Sequence, residues 1–110
     1  MPKTTNSGNF FARANHNKLH IVIDTLSGVV DPFPADTIGS ATMRGGPLAH
    51  IPKAGKFRIT FTSFTCTLEV FDNTDEGMLV TIWEGMGTQK GLAGTWDGEW
   101  KRIDVDEVAR

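Results

Sequence analysis

The residues able to carry protons, hold a metal or attack a substrate are few in this chain and widely scattered. His16, His20 and His50 are its three histidines, and Asp24 and Glu84 are the acids that could join them in a metal site or a general base. Histidine titrates near neutral pH, which makes each a candidate proton carrier. His20 and Asp24 have the same strand parity, yet four residues of extended chain separate their Cα atoms by about 13 Å. Spacing brings none of these side chains together, so they read as surface or internally satisfied groups rather than a ligand set. Cys66, the single cysteine, would need a nearby base and an electropositive, partly exposed setting to act as a nucleophile. It shares the parity of Phe64, Leu68 and Val70, which suits a small buried hydrophobe.

Two further patterns have the outline of a binding motif without its substance. Asp72, Asp75 and Glu76 gather acid in one loop, but Thr74 stands where an EF-hand calcium loop needs a carboxylate or amide. A solvated turn accounts for the group. Gly85, Gly87 and Gly91 form G-x-G-x-x-x-G, one residue away from a dinucleotide fingerprint. A phosphate cradle needs a helix N-terminus behind its glycines, and the segment after them reads as a strand. Bends at a barrel rim are the expectation here.

The tryptophans are more informative. Trp96 and Trp100 share one strand face with Gly98 between them, leaving a notch about one side chain wide that another group must fill. Core packing is one reading, since tryptophan burial is a major source of core energy. A ligand-cavity wall and a subunit contact are the others, and Trp83, on a strand with apolar residues on both faces, favours one of these two.

Such residues need elements to hold them, and composition bounds what those can be. The chain has 110 residues, 39% of them hydrophobic and 22% charged, which fits one globular domain and is too apolar for a disordered chain. The formal net charge is −2, and Lys101-Arg102 is the nearest approach to a basic cluster. Adjacent strand residues point to opposite faces, so the basic footprint of a nucleic-acid binder is missing. One cysteine excludes an internal disulfide framework. No stretch reaches the roughly 20 apolar residues of a membrane span, and Met-Pro-Lys-Thr-Thr-Asn-Ser-Gly has no signal-like apolar run. A cytoplasmic location is expected, with no cofactor, no metal, no nucleic acid and no membrane.

Residues 1–17 show little periodicity around Phe10-Phe11 and read as an irregular N-terminal arm, leaving 18–110 as a single antiparallel barrel domain. Leu19, Ile21 and Ile23 alternate with Lys18 and His20, the period of a half-buried strand. Ser27-Gly28 breaks that strand and Asp31-Pro32-Phe33-Pro34 forbids regular pairing beyond it, while Asp36–Met43 reads as a short strand. Between Lys56 and Phe71 the apolar phase slips near Ser63, which predicts a bulge or a sharp bend there. Asp72–Gly77 should join two antiparallel strands. In Met78–Glu84, Met78, Val80 and Ile82 lie on one face and Leu79 and Trp83 on the other. No window of 12 residues has a convincing helical period. The expected fold is all-β, a small antiparallel barrel of about seven to eight strands.

The stretch Trp83-Glu84-Gly85-Met86-Gly87-Thr88-Gln89-Lys90-Gly91-Leu92-Ala93-Gly94-Thr95-Trp96-Asp97-Gly98-Glu99-Trp100 resembles a pattern of allene-oxide-cyclase-like and dirigent-like barrels. In those a strand ends in Glu-Gly, and a Gly-Thr-x-Lys-x-Gly-hydrophobic-x-Gly-Thr segment leads into the last strand. The resemblance covers about 18 of the 110 residues and implies an eight-stranded, commonly oligomeric barrel whose apolar cavity binds or cyclises hydrophobic small molecules. No catalytic position of that superfamily matches a residue of this chain.

Three readings are open. The first is a hydrophobic-ligand-binding barrel, with isomerase or cyclase-type activity left open, whose site draws on Trp83, Trp96, Trp100, His20 and Arg58, with Asp24 and Glu69 as further polar groups at its mouth. The second is a non-enzymatic subunit of a homo-oligomer, such as a coat or virion-type component, assembling through the N-terminal arm and the Trp-rich strands. The third is an enzyme whose site is too dispersed to read.

Overall fold

Alternating apolar and polar residues decide which side of each strand faces inward. A computed structural model describes residues 8–34 and 36–103. They form eight strands: β1 (Asn9–Asn15), β2 (Lys18–Ile23), β3 (Leu26–Val30), β4 (Gly39–Gly45), β5 (Ala54–Phe61), β6 (Thr65–Asp72), β7 (Leu79–Lys90) and β8 (Gly94–Arg102). The strands close into an antiparallel barrel in the order β1-β2-β3-β8-β5-β6-β7-β4, with β4 pairing back onto β1. There is no helix among the described residues, and so none long and apolar enough to cross a membrane.

The register defines the barrel's shape. Tracing paired residues around the circuit from Leu79 leads through Phe71, Lys56, Glu99, Val29, His20, Arg13 and Ser40 to Lys90. The path returns to β7 eleven positions further along, and one of these is the irregularity opposite Val70 and Phe71. A stagger of about ten residues over eight strands implies a strand tilt of about 40°. A barrel of that size is just wide enough for side chains to fill.

Filled it is. Phe10, Leu19, Ile21, Ile23, Phe57, Ile59 and Leu68 are all buried along the barrel. Leu48 and Ile51 from the β4–β5 connection cover one end, where the Asp24 carboxylate accepts hydrogen bonds from the backbone N–H groups of Gly8 (3.0 Å) and Leu48 (2.8 Å). Phe33 and Leu92 cover the other end, and Phe33 packs on Trp96 with ring centroids 4.5 Å apart.

Several boundaries differ from those expected. Residues 9–15, assigned from the sequence to an arm, are barrel strand β1, with Phe10, Ala12 and Ala14 inward; residues 1–7 lie outside the described residues. Ser27-Gly28 does not end a strand but sits within β3. The break falls at the two-residue Asp24-Thr25 turn, flanked by the pair Ile23 and Leu26. His16 and Asn17, both with positive φ (54° and 66°), form the β1–β2 turn, as a two-residue type I′ hairpin requires. The phase slip near Ser63 is the sharp bend between β5 and β6. Asp72–Gly77 does join antiparallel strands, β6 and β7.

Candidate functional site

The three tryptophans all point into the barrel. Trp83 and Trp100 are 4% and 3% exposed, and an indole N–H so deeply placed must find an acceptor. Trp83 Nε1–H donates to the Gly46 carbonyl (2.6 Å), and Trp100 Nε1–H is shared between the carbonyls of Lys56 and Phe71 (2.9 and 3.0 Å). Trp96 Nε1–H donates to Leu92 O (3.0 Å). Trp83 stacks on Phe10 at 5.7 Å and lies over Gly85, where any Cβ would collide with the indole. The notch between Trp96 and Trp100 is occupied by Phe57, which pairs with Gly98 and fills the space of its missing side chain.

His20 and Arg58 are elsewhere. His20 is on the outer face of β2, paired with Arg13 and Val29. Arg58 is on the outer face of β5, where its Nε–H donates to Asp97 (2.8 Å), and that carboxylate raises the guanidinium pKa above its ordinary value. The five residues combined from the sequence into one ligand site therefore do not converge. Of the remaining candidates, Asp24 is committed to backbone N–H groups, and no group of three His, Cys, Asp or Glu among the described residues could hold a metal ion. Gly85 and Gly87 lie in β7 and Gly91 in the turn to β8, with no helix behind them.

Burial pushes the Cys66 thiol pKa up to about 12. It is therefore protonated at neutral pH and unsuited to nucleophilic attack. Asp72 caps its loop: Oδ1 accepts from Thr74 N–H (3.1 Å), Thr74 Oγ1–H (2.6 Å) and Met78 N–H (3.1 Å), and the Thr74 bonds hold its pKa below the usual carboxylate value. That arrangement is a closed turn, not a cation loop.

What stands out is the outside of the barrel. Phe11, Val22, Ile38, Phe64, Met78, Leu79, Ile82 and Met86 are large, apolar and exposed. All eight lie on or immediately beside β2, β1, β4, β7 and β6, which are consecutive in the circuit. The remaining wall, β3, β8 and β5, turns Lys56, Arg58, Thr95, Asp97, Glu99 and Lys101 to solvent and carries none of the eight. A barrel filled on the inside has no core left for these side chains. The β7 irregularity contributes, because it turns Leu79 outward while Val80 packs against the core and Trp83 stays inside.

The apolar wall is also divided by charge. Residues 8–23 and β4 contain Arg13, Lys18 and Arg44 but no Asp or Glu, whereas residues 62–84 contain Glu69, Asp72, Asp75, Glu76 and Glu84 but no Lys or Arg. On the basic half, Phe11, Arg13, His20, Val22, Ile38 and Thr42 line an open groove of about 660 Å³. The sequence held a signal for this wall: Val22 sits on the polar parity of β2 with Lys18 and His20, and Phe11 on the polar parity of β1 with Arg13.

No protein-family model matches the chain, and neither a curated protein nor a solved structure matches it. The fold and the two-sided outer wall are thus the ground for its function.

Proposed function

We propose that this protein is a non-enzymatic docking subunit, a rigid barrel whose outer wall over β2, β1, β4, β7 and β6 binds another macromolecule. The observation that supports it is the confinement of all eight exposed large hydrophobic side chains to that wall. Contiguous apolar surface on a small protein marks an interaction site. The reading keeps the expected role as an assembly component but moves the contact surface from the N-terminal arm and the Trp-rich strands to the outer wall, to which β1, drawn from that arm, contributes Phe11.

The test replaces Phe11, Ile38 and Met86 together by serine. Each is more than half exposed, so thermal stability should stay within about 0.5 kcal/mol per site of the parent, while binding through the wall disappears. Retained binding in a folded triple variant would count against the reading.

A hydrophobic small molecule is the second reading, favoured by one observation. The groove beside His20 has the volume of a ligand site, within the usual 300–1,000 Å³. It places the ligand outside the barrel, between Phe11, Val22 and Ile38. Saturable binding from a hydrophobic panel, lost in Val22→Asp, would favour it over docking.

A further inference from the structure

From the charge division of the apolar wall, and resting on the docking reading above, we infer that the wall's occupant is a second copy of this chain, related to the first by a two-fold axis through the Arg44–Met86 pair where β4 meets β7. A two-fold contact uses the same patch on both partners, so a patch must be complementary to itself. This one is. On one side of the Arg44–Met86 pair lies the groove of Phe11, Val22 and Ile38, framed by Arg13 and His20. On the other side lie the exposed apolar side chains of Met78, Leu79 and Ile82, framed by Glu69, Asp75, Glu76 and Glu84. Rotation about the pair lays the cluster of each copy on the groove of the other, acid against base, and does so twice.

The chemistry favours self-docking over an unrelated partner. A surface meant for a uniformly charged partner would carry one sign of charge across its face. Here Arg13 and Lys90 lie towards one end of the wall, each paired with Ser40, and Glu69, Asp75, Glu76 and Glu84 towards the other, which is the arrangement that two copies turned against each other neutralise. A standard interface covers about 800 Å² per partner, roughly an eighth of the 6866 Å² accessible surface of the molecule. The groove is an open hollow, and the irregularity opposite Val70 and Phe71 sets the Leu79 side chain on the outer face with Ile82. Glu69 also faces Arg58 on the neighbouring strand, whereas Glu84, on the outer face of β7 between Ile82 and Met86, lines one hollow with Arg44 beside the axis and is the acid of the four set nearest the basic half.

Sedimentation velocity from 1 to 200 µM, at 50 and 500 mM salt, tests this on the full chain. The expected result is a species of twice the 12.0 kDa chain mass, weakened at high salt. Phe11→Asp and Ile82→Asp should each give monomer although they alter opposite halves of the wall. Arg13→Glu and Glu84→Arg should each weaken the dimer at least tenfold, and the double reversal should recover most of the loss. Tryptophan fluorescence, reporting the interior, confirms that each variant is folded. Wild-type protein that stays monomeric throughout, or a dimer indifferent to Phe11→Asp and Ile82→Asp, overturns the inference. In the monomeric case bis-ANS separates the two claims. Dye binding abolished by the Phe11, Ile38 and Met86 serine variant leaves the docking wall standing with a different occupant, and dye binding unaffected by that variant removes the wall as well.

Discussion

The ring of Phe57 lies across Gly28: a Cβ built on the glycine would come within 2.7 Å of Cε2 of the ring and 3.1 Å of Ile21 Cγ1. Gly98, on the neighbouring strand, is covered by the same ring, its Cβ position being 2.6 Å from Phe57 Cζ and also against the Val29 carbonyl oxygen. Two glycines on adjacent strands thus make the bed for one interior aromatic ring.

Gly28→Ala should therefore cost about 1–3 kcal/mol, the usual range for overpacking a filled core, read as a lowered denaturation midpoint. The obstruction is side-chain only, so Gly28→Ala with Phe57→Leu should lose less than the sum of the single changes. Gly98→Ala should not be rescued in this way, because the Val29 carbonyl remains in the path. Equal rescue at both positions would contradict the geometry.

Trp83→Phe should destabilise by about 1–3 kcal/mol, since it leaves the Gly46 carbonyl without its indole donor. Chemical denaturation checks the size of the loss, and an unchanged midpoint would mean that water replaces the donor at no cost.

Cys66 should react with Ellman's reagent at pH 8 only as fast as the barrel opens, because the thiol is buried with its pKa raised to about 12 by desolvation. The raised value also sets a pH dependence. The thiol contributes stability in full below its ordinary value of 9.0, and this is lost as pH rises from there towards 12. Cys66→Ala should lower the midpoint at pH 7 by removing a core atom and flatten the decline at pH values above 9.0.

Asp72 has the opposite sign. Its pKa is lowered by the hydrogen bonds from Thr74 and, to a lesser extent, Met78, so its contribution is present above the ordinary value of 3.8 and is lost as pH falls through the lower folded value. Asp72→Ala should loosen the β6–β7 loop at neutral pH and reduce the acid sensitivity of the midpoint, with hydrogen exchange at Thr74 and Met78 as the local readout.

Much of the barrel was legible because alternation is strong where large side chains carry it, as in Leu19, Ile21 and Ile23. β1 was not, because its inward positions after Phe10 are Ala12 and Ala14, which add little to an apolar period. β3 was masked by Gly28, which has the look of a strand breaker when its missing side chain is what admits Phe57. Of the readings open for the tryptophans, their placement is that of core packing, Trp83 and Trp100 buried and Trp96 partly so, but nothing local in the sequence tells a filled barrel from a hollow one. That depends on Phe57 and Phe10 reaching in from other strands and on Leu92 in the β7–β8 connection. The outer wall was harder still: Phe11 and Val22 pair within the β1–β2 hairpin, but Ile38 and Ile82 share a wall with them only through the β1–β4 and β4–β7 pairings.

Because β4 pairs with β1 as well as with β7, the circuit closes, and the stretches of strand paired along one side alone are short, such as residues 79–84 of β7, beyond the end of β4, and residues 94–98 of β8, beyond the end of β3. An incoming chain therefore meets short, interrupted edges rather than a full-length free strand, which disfavours β-augmentation and growth into cross-β fibrils by the folded molecule. Over the fully paired strands of the wall, recognition falls to the outward side chains. Its choice of partner can then be rewritten by exchanging a few outward residues while the hydrogen-bonded wall beneath them stays as it is.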